Sequence, residues 1–130
     1  MKKFKIYKSK TGSLLPLSFN KDIPFNVKRI FIINGKKNSK RADHAHRKCT
    51  QYIIPLCGSV NINYENKKGK FTKKLSFSNC EGLIIKPNTW VNLKFNTKYS
   101  IILVLCDREY EFSDYIEQYD IFLRLIGKNK

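Results

Sequence analysis

The chain has 130 residues, 42% of them apolar and 13% aromatic, which is one domain's worth (1–130) with enough apolar side chain to build a core and too much for a disordered chain. No apolar run approaches the roughly 20 residues of a membrane span, and the start, MKKFKIYKSKTGS, has no signal-peptide core, so no membrane partner and a cytoplasmic location are expected. The net charge of +16 is carried by 21 lysines and 5 arginines scattered through nearly every loop, with no basic helix or finger motif, which reads as a solvated surface that attracts a small anion rather than nucleic acid.

In chain order the segments are short and β-like. FKIYK (4–8) alternates, and SLLPLSF (13–19) follows a turn at Thr11-Gly12. NVKRIFIIN (26–34) is rich in β-branched and aromatic residues, and CTQYIIPL (49–56) reads as a buried strand. SVNINYE (59–65) and FTKKLSF (71–77) flank the turn NKKGK and predict a hairpin. GLIIKP (82–87), TWVNLKF (89–95) and YSIILVLC (99–106) keep the rhythm, which predicts an all-β sandwich or barrel. Only the end differs. Six of the ten acidic residues lie between 107 and 120, and Tyr115, Ile116, Tyr119, Phe122, Leu123 and Ile126 recur at helical spacing behind Ser113 as N-cap, which predicts one short C-terminal helix. Four cysteines, at 49, 57, 80 and 106, form no C-x-x-C pair and read as buried free thiols on strands.

Both histidines of the chain fall in one stretch, RADHAHRKCTQ. On a strand, residues two apart share a face, so His44 and His46 project together. H-A-H followed by Gln51 and Gly58 resembles the first signature of the cupins, and Gly82, Pro87, Trp90 and Asn92 are similar to a looser second signature. That resemblance implies a cupin-type double-stranded β-barrel, or jelly roll. Metal-binding cupins use H-x-H, a glutamate and a third histidine. Here glutamine stands in the glutamate position and no third histidine exists, so no metal and no other cofactor is expected. Two imidazoles beside arginines suit proton transfer next to an anion, since histidine titrates near neutrality and nearby positive charge holds a ring neutral, ready to act as a base.

KRADHAHRKCTQ, GLIIKPNTW and REYEFSDYIEQYDIFL together resemble the nucleotide-linked 4-keto-6-deoxyhexose 3,4-ketoisomerases, the WxcM-like cupins, and the resemblance runs from GSLLPL to the C-terminal DYIEQYDIFL. It implies conversion of dTDP-4-keto-6-deoxyglucose to a 3-keto sugar through an enediol, upstream of 3-amino-3,6-dideoxy sugars for surface polysaccharide. It implies His46 as main proton shuttle, with His44 assisting at the sugar oxygens. It implies substrate contacts from Arg41, Arg29, Gln51, Tyr110 near the pocket mouth, Trp90 and Thr11. It also implies a homodimer with exchanged N-terminal strands. The chain departs from the family where RIFIIN carries no tyrosine, where Val91 follows the tryptophan and where Thr11 precedes G-S-L. These positions are expected to govern which face of C4 is protonated, and galacto and gluco products both stay open. Two competing readings remain: a non-catalytic sugar-nucleotide-binding cupin, and a related 3,5-epimerase. The epimerase would want a histidine–aspartate pair and a tyrosine, and Asp43 points away from His44.

Overall fold

The structure is a computed structural model and describes residues 3–128. It opens with a small hairpin of β1 (Tyr7–Ser9) and β2 (Gly12–Leu14), followed by a helical turn α1 (Phe19–Asp22). Then come β3 (Arg29–Gly35), β4 (Lys40–His46), β5 (Gln51–Cys57), β6 (Ser59–Asn66), β7 (Gly69–Ser76), β8 (Leu83–Ile85), β9 (Trp90–Phe95) and β10 (Ser100–Cys106). The chain ends with β11 (Tyr115–Ile116) and α2 (Tyr119–Leu125). Two antiparallel sheets result, ordered β3-β10-β5-β8 and β11-β4-β9-β6-β7.

Period-2 alternation explains the core between the sheets. Val91, Leu93 and Phe95 of β9 point inward while Lys94 points out, and Val60 and Ile62 of β6, Leu75 of β7 and Ile102 and Val104 of β10 meet them. Each such burial stabilises by roughly 1.5–3 kcal/mol. The run QYIIPL of β5 does not alternate because both of its faces are covered. Ile53 faces the inter-sheet core, whereas Tyr52 and Ile54 pack under Phe4, Ile23 and the segment containing Leu15, Leu17 and Phe25. A third cluster, of Ala45 with Ile116, Phe122, Leu123 and Ile126, seats α2 against the outer face of β4. That frees the opposite face of β4, which carries the histidines, to look inward. Among the described residues no helix is long and apolar enough to cross a membrane.

Several expectations need correction. SLLPLSF is not one strand: β2 stops at Leu14 before Leu15-Pro16, since Pro16 lacks an N–H for the ladder, and Phe19 already begins α1. The C-terminal helix starts at Tyr119 behind Gln118, not behind Ser113. Residues 112–114 form a 3-10 turn, and Tyr115 and Ile116 pair with His46 and Ala45 as strand. Tertiary pairing there outweighs helical periodicity. Of the cysteines only Cys49 and Cys106 are buried, with Cys49 in the β4–β5 loop. Cys57 is exposed, and Cys80 is half-buried at a left-handed position with φ 57 closing a 3-10 turn.

Candidate active site

β4 carries the site on an irregular stretch. Its pairing with β9 shifts between Ala42 and His44, and Ala42 and Asp43 both have positive φ, 70 and 64. A left-handed alanine costs roughly 1–2 kcal/mol, so the surrounding pairing holds this bulge in place. The bulge turns Asp43 outward, where its Oδ1 accepts the Trp90 indole N–H at 3.1 Å. Beyond it His44 and His46 share a face as the spacing predicts, with ring centroids 5.0 Å apart and edge-on.

His46 is buried and its Nδ1 lies 2.9 Å from Asp114 Oδ2. The same carboxylate accepts the backbone N–H groups of Lys48, at 2.7 Å, and Cys49, at 3.2 Å. Burial works against the Asp114 charge, but the hydrogen bonds from His46, Lys48 and Cys49 outweigh it and hold the carboxyl below the usual carboxylate range. An ionised carboxylate only accepts, so His46 carries its proton on Nδ1 and presents a bare lone pair at Nε2. That Nε2 is buried and has no hydrogen-bond partner. Burial first, and the Arg29 charge in addition, lower the His46 pKa against the opposing pull of Asp114. The ring is thus a neutral base whose imidazolium, once formed, has a counter-ion in place. Sequence reasoning anticipated a neutral ring held by nearby positive charge, yet burial is the larger cause and the contributing arginine comes from β3.

Tyr115 stands opposite His46 in the β11–β4 register, its ring 4.3 Å from that of His46 and 5.0 Å from that of His44. Between the two sheets lies a cavity of about 330 Å³ lined by His44, Tyr115, Arg29, Arg41, Gln51 and Val91 with apolar neighbours. Arg29 spans Phe31 and the exposed Tyr110, with its guanidinium 4.9 and 5.0 Å from their ring centroids. Gln51 is buried and donates its amide to Cys106 Sγ at 3.7 Å.

The fold therefore brings together His44, His46, Arg29, Arg41, Gln51 and, at the rim, Tyr110. It does not bring in Trp90, which packs against Tyr119 and Phe122 and lines a separate outer hollow with Asn63, Glu65 and Asn92. Nor does it bring in Thr11, whose hydroxyl bonds Ser9 at 3.0 Å in the exposed β1–β2 hairpin. Sequence reasoning missed Asp114 and Tyr115. The signal for them was their place in the family-like run DYIEQYDIFL, which marked the segment without assigning either residue a role.

His46, Cys49 and Asp114 offer three ligand-type atoms within 4.8 Å of one another. The set suits a metal poorly. Nδ1 and the Asp114 carboxylate are already committed to each other and to backbone N–H groups, and the hydrogen bond with Cys106, together with burial, raises the Cys49 thiol pKa.

The His44 pKa is pushed down to about 4, by burial first and then by the neighbouring His46 charge. The unfolded value is about 6.5, so as pH falls the unfolded chain takes the proton first. The associated stability is complete above about pH 6.5 and is lost as pH falls toward the folded value, by at most about 3 kcal/mol. His46 adds to it with the same sign. Urea midpoints of the wild type should therefore drop between neutral pH and pH 4.5, and His44→Asn should remove part of that dependence.

Comparison with known proteins fits this geometry. Residues 1–127 match the family described as FdtA: WxcM-like, C-terminal. The TDP-4-oxo-6-deoxy-alpha-D-glucose-3,4-oxoisomerase of Aneurinibacillus thermoaerophilus is 33% identical over 119 residues, covering 90% of this chain and 84% of that one. The sugar 3,4-ketoisomerase QdtA from Thermoanaerobacterium thermosaccharolyticum, solved with TDP, superposes with a TM-score of 0.87 at 34% identity over 95% of this chain and 90% of QdtA. A histidine-to-asparagine variant of QdtA, solved with TDP-4-keto-6-deoxyglucose, gives the same TM-score of 0.87, at 33% identity and the same coverage of 95% and 90%. WlaRA, a TDP-fucose-3,4-ketoisomerase from Campylobacter jejuni, gives a TM-score of 0.84 at 32% identity over 96% of this chain and 93% of WlaRA. With its cupin-like sheets and a match over nearly its whole length, the chain belongs to the FdtA, WxcM-like family.

Proposed function

We propose that the protein is a metal-independent sugar-nucleotide 3,4-ketoisomerase acting on dTDP-4-keto-6-deoxyglucose in the cytoplasm, in the supply of 3-amino-3,6-dideoxy sugars for surface polysaccharide. The observation that carries this reading is the His46–Asp114 pair, with a bare buried Nε2 behind a cavity whose walls hold two arginines. His46 removes the proton from C3, the imidazolium is stabilised by Asp114, and the same ring returns a proton to C4. His44, neutral at working pH, hydrogen-bonds the sugar. Arg29, Arg41 and Gln51 hold the substrate, with Tyr110 at the rim. Incubation with the substrate should give the 3-keto product by NMR, and unchanged substrate contradicts the reading. A 3,5-epimerase is the second reading, because the histidine–aspartate pair and tyrosine such chemistry wants are present as His46, Asp114 and Tyr115. The site of deuterium incorporation separates the two.

The protein acts as a homodimer with exchanged N-terminal strands on this account. Every residue of β1 and β2 is exposed, and the edge strand β3 leaves Ile30 and Ile32 bare. Thr11 lies outside its own chain's cavity, so it meets substrate only if the hairpin reaches a second copy. Trp90 then serves as a scaffold that fixes the bulge through Asp43 rather than as a substrate contact.

Binding of dTDP should raise the melting temperature, by an amount equivalent to about 2.7 kcal/mol at 100 times its dissociation constant. A shift with short DNA or RNA and none with dTDP would contradict the assigned ligand class.

A further inference from the structure

We propose that Tyr115 is a second catalytic group, which carries the hydroxyl proton from O3 to O4 while His46 takes a proton from C3 and, after exchange with solvent, supplies one to C4. This rests on the ketoisomerase reading. The need for it follows from the balance of atoms. The substrate has hydrogen and hydroxyl at C3 and a carbonyl at C4, and the product has the reverse. In the first half, the C3–H bond breaks, its pair forms C3=C4, and the carbonyl pair moves to O4, which takes a proton. In the second half, the O3–H bond breaks, its pair forms C3=O, and the C3=C4 pair takes a proton at C4. No electrons enter or leave, but two protons change place.

His46 cannot serve both. Its Nδ1 is tied to Asp114, and between the two halves its Nε2 stays protonated, that proton exchanging with solvent before C4 takes it. The oxygens need a group that gives a proton at one position and accepts at the neighbouring one. Among the residues that line the cavity, Arg29 and Arg41 only donate, and a glutamine amide does not titrate. His44 donates and accepts from nitrogens on different edges of its ring. A phenol does both at one oxygen atom, which suits two vicinal oxygens of a sugar.

Tyr115 is placed for it. It lines the cavity, pairs in register with His46 and packs its ring against both imidazoles. The Arg29 guanidinium lines the same cavity, and its electrostatic interaction with Tyr115 favours its charged form, so a cation stands ready for the negative charge that develops as the phenol gives up its proton. The strand that carries Phe31 supplies no hydroxyl, and Tyr115 is the one tyrosine among the residues that line this cavity.

Tyr115→Phe keeps the ring and its packing and removes only the hydroxyl. Turnover should fall by about 10²–10⁴-fold, with dTDP affinity and KM unchanged. In D₂O the enediolate then returns to substrate more often than it proceeds. Deuterium at C3 of recovered substrate should therefore rise relative to product formed. Wild-type turnover in the variant, or exchange and product falling in the same proportion, would overturn the role. Independently, 3-fluorotyrosine at position 115 lowers the phenol pKa without changing the ring's packing. It should move the alkaline limb of the kcat profile to lower pH, and an unmoved limb overturns the proposal. A wild-type protein with no turnover of this substrate would instead overturn the ketoisomerase reading and the proposal with it.

Discussion

His46→Asn is expected to lower turnover by about 10²–10⁴-fold while leaving dTDP affinity close to that of the wild type. Asparagine approximates the imidazole in size and still hydrogen-bonds Asp114, so the buried carboxylate keeps a partner. What is lost is a titrating nitrogen held ready as a base: Nε2 has no partner, and Asp114 fixes the tautomer that leaves it bare. Other bases in reach are few. Cys49 is pushed toward its protonated form by the Cys106 hydrogen bond and burial, and the His44 pKa of about 4 makes that ring a weak base. His44→Asn should cost less than His46→Asn if His44 only orients the sugar. Steady-state kinetics with dTDP titration checks both, and a His46→Asn variant with near wild-type turnover would remove the assigned shuttle.

Asp114→Asn should cost both activity and stability. The amide can still accept from one backbone N–H, but its NH₂ now faces His46 Nδ1 and forces the ring into the tautomer protonated at Nε2. A base in the wrong tautomer cannot take the C3 proton. In a serine-protease triad the corresponding reversal costs roughly 10⁴-fold, and a loss of that order is expected here. The buried site also loses a charge-assisted hydrogen bond and leaves a donor poorly paired, which costs about 1–3 kcal/mol. The pH dependence follows from the depressed carboxyl. A carboxyl whose folded-state pKa lies below its unfolded value of about 3.9 stabilises the fold above that value and loses the contribution as pH falls through the folded one. The gap in stability between wild type and variant should therefore be full at neutral pH and close below about pH 4. Denaturant melts across that range read it directly, and a gap constant down to strong acid would contradict the ionised carboxylate.

The sequence made some parts of this molecule legible because local physics decides them. Strands β3, β5, β6, β9 and β10 follow β-branched and aromatic runs, and the β6–β7 hairpin follows its Asn–Lys–Lys–Gly turn. The histidine pair followed from the two-residue strand period, which survives even though a bulge precedes it. Other parts depend on contacts across long stretches of chain. Asp114 reaches His46 over 68 residues, and although it opens the family-like run DYIEQYDIFL, nothing in its neighbours along the chain says which side chain it meets. Tyr115 and Ile116 fall on a helical periodicity, yet pairing with His46 and Ala45 makes them a strand. Trp90 stood beside Val91 in a family motif, but adjacent residues of a strand face opposite ways: Val91 enters the cavity and Trp90 the far side of the sheet. A departure in the family pattern, the strand with Phe31 and no tyrosine, is met in space by a phenol from another strand.

The most direct test of the account is the reaction of wild-type protein with dTDP-4-keto-6-deoxyglucose in D₂O, with the product read by NMR. A base that takes a proton from C3 and returns one to C4 should give a 3-keto sugar with deuterium at C4 and none at C5. Deuterium at C5 would assign the His46–Asp114 pair to 3,5-epimerase chemistry, and a bound but unaltered substrate would make the cavity a binding site alone.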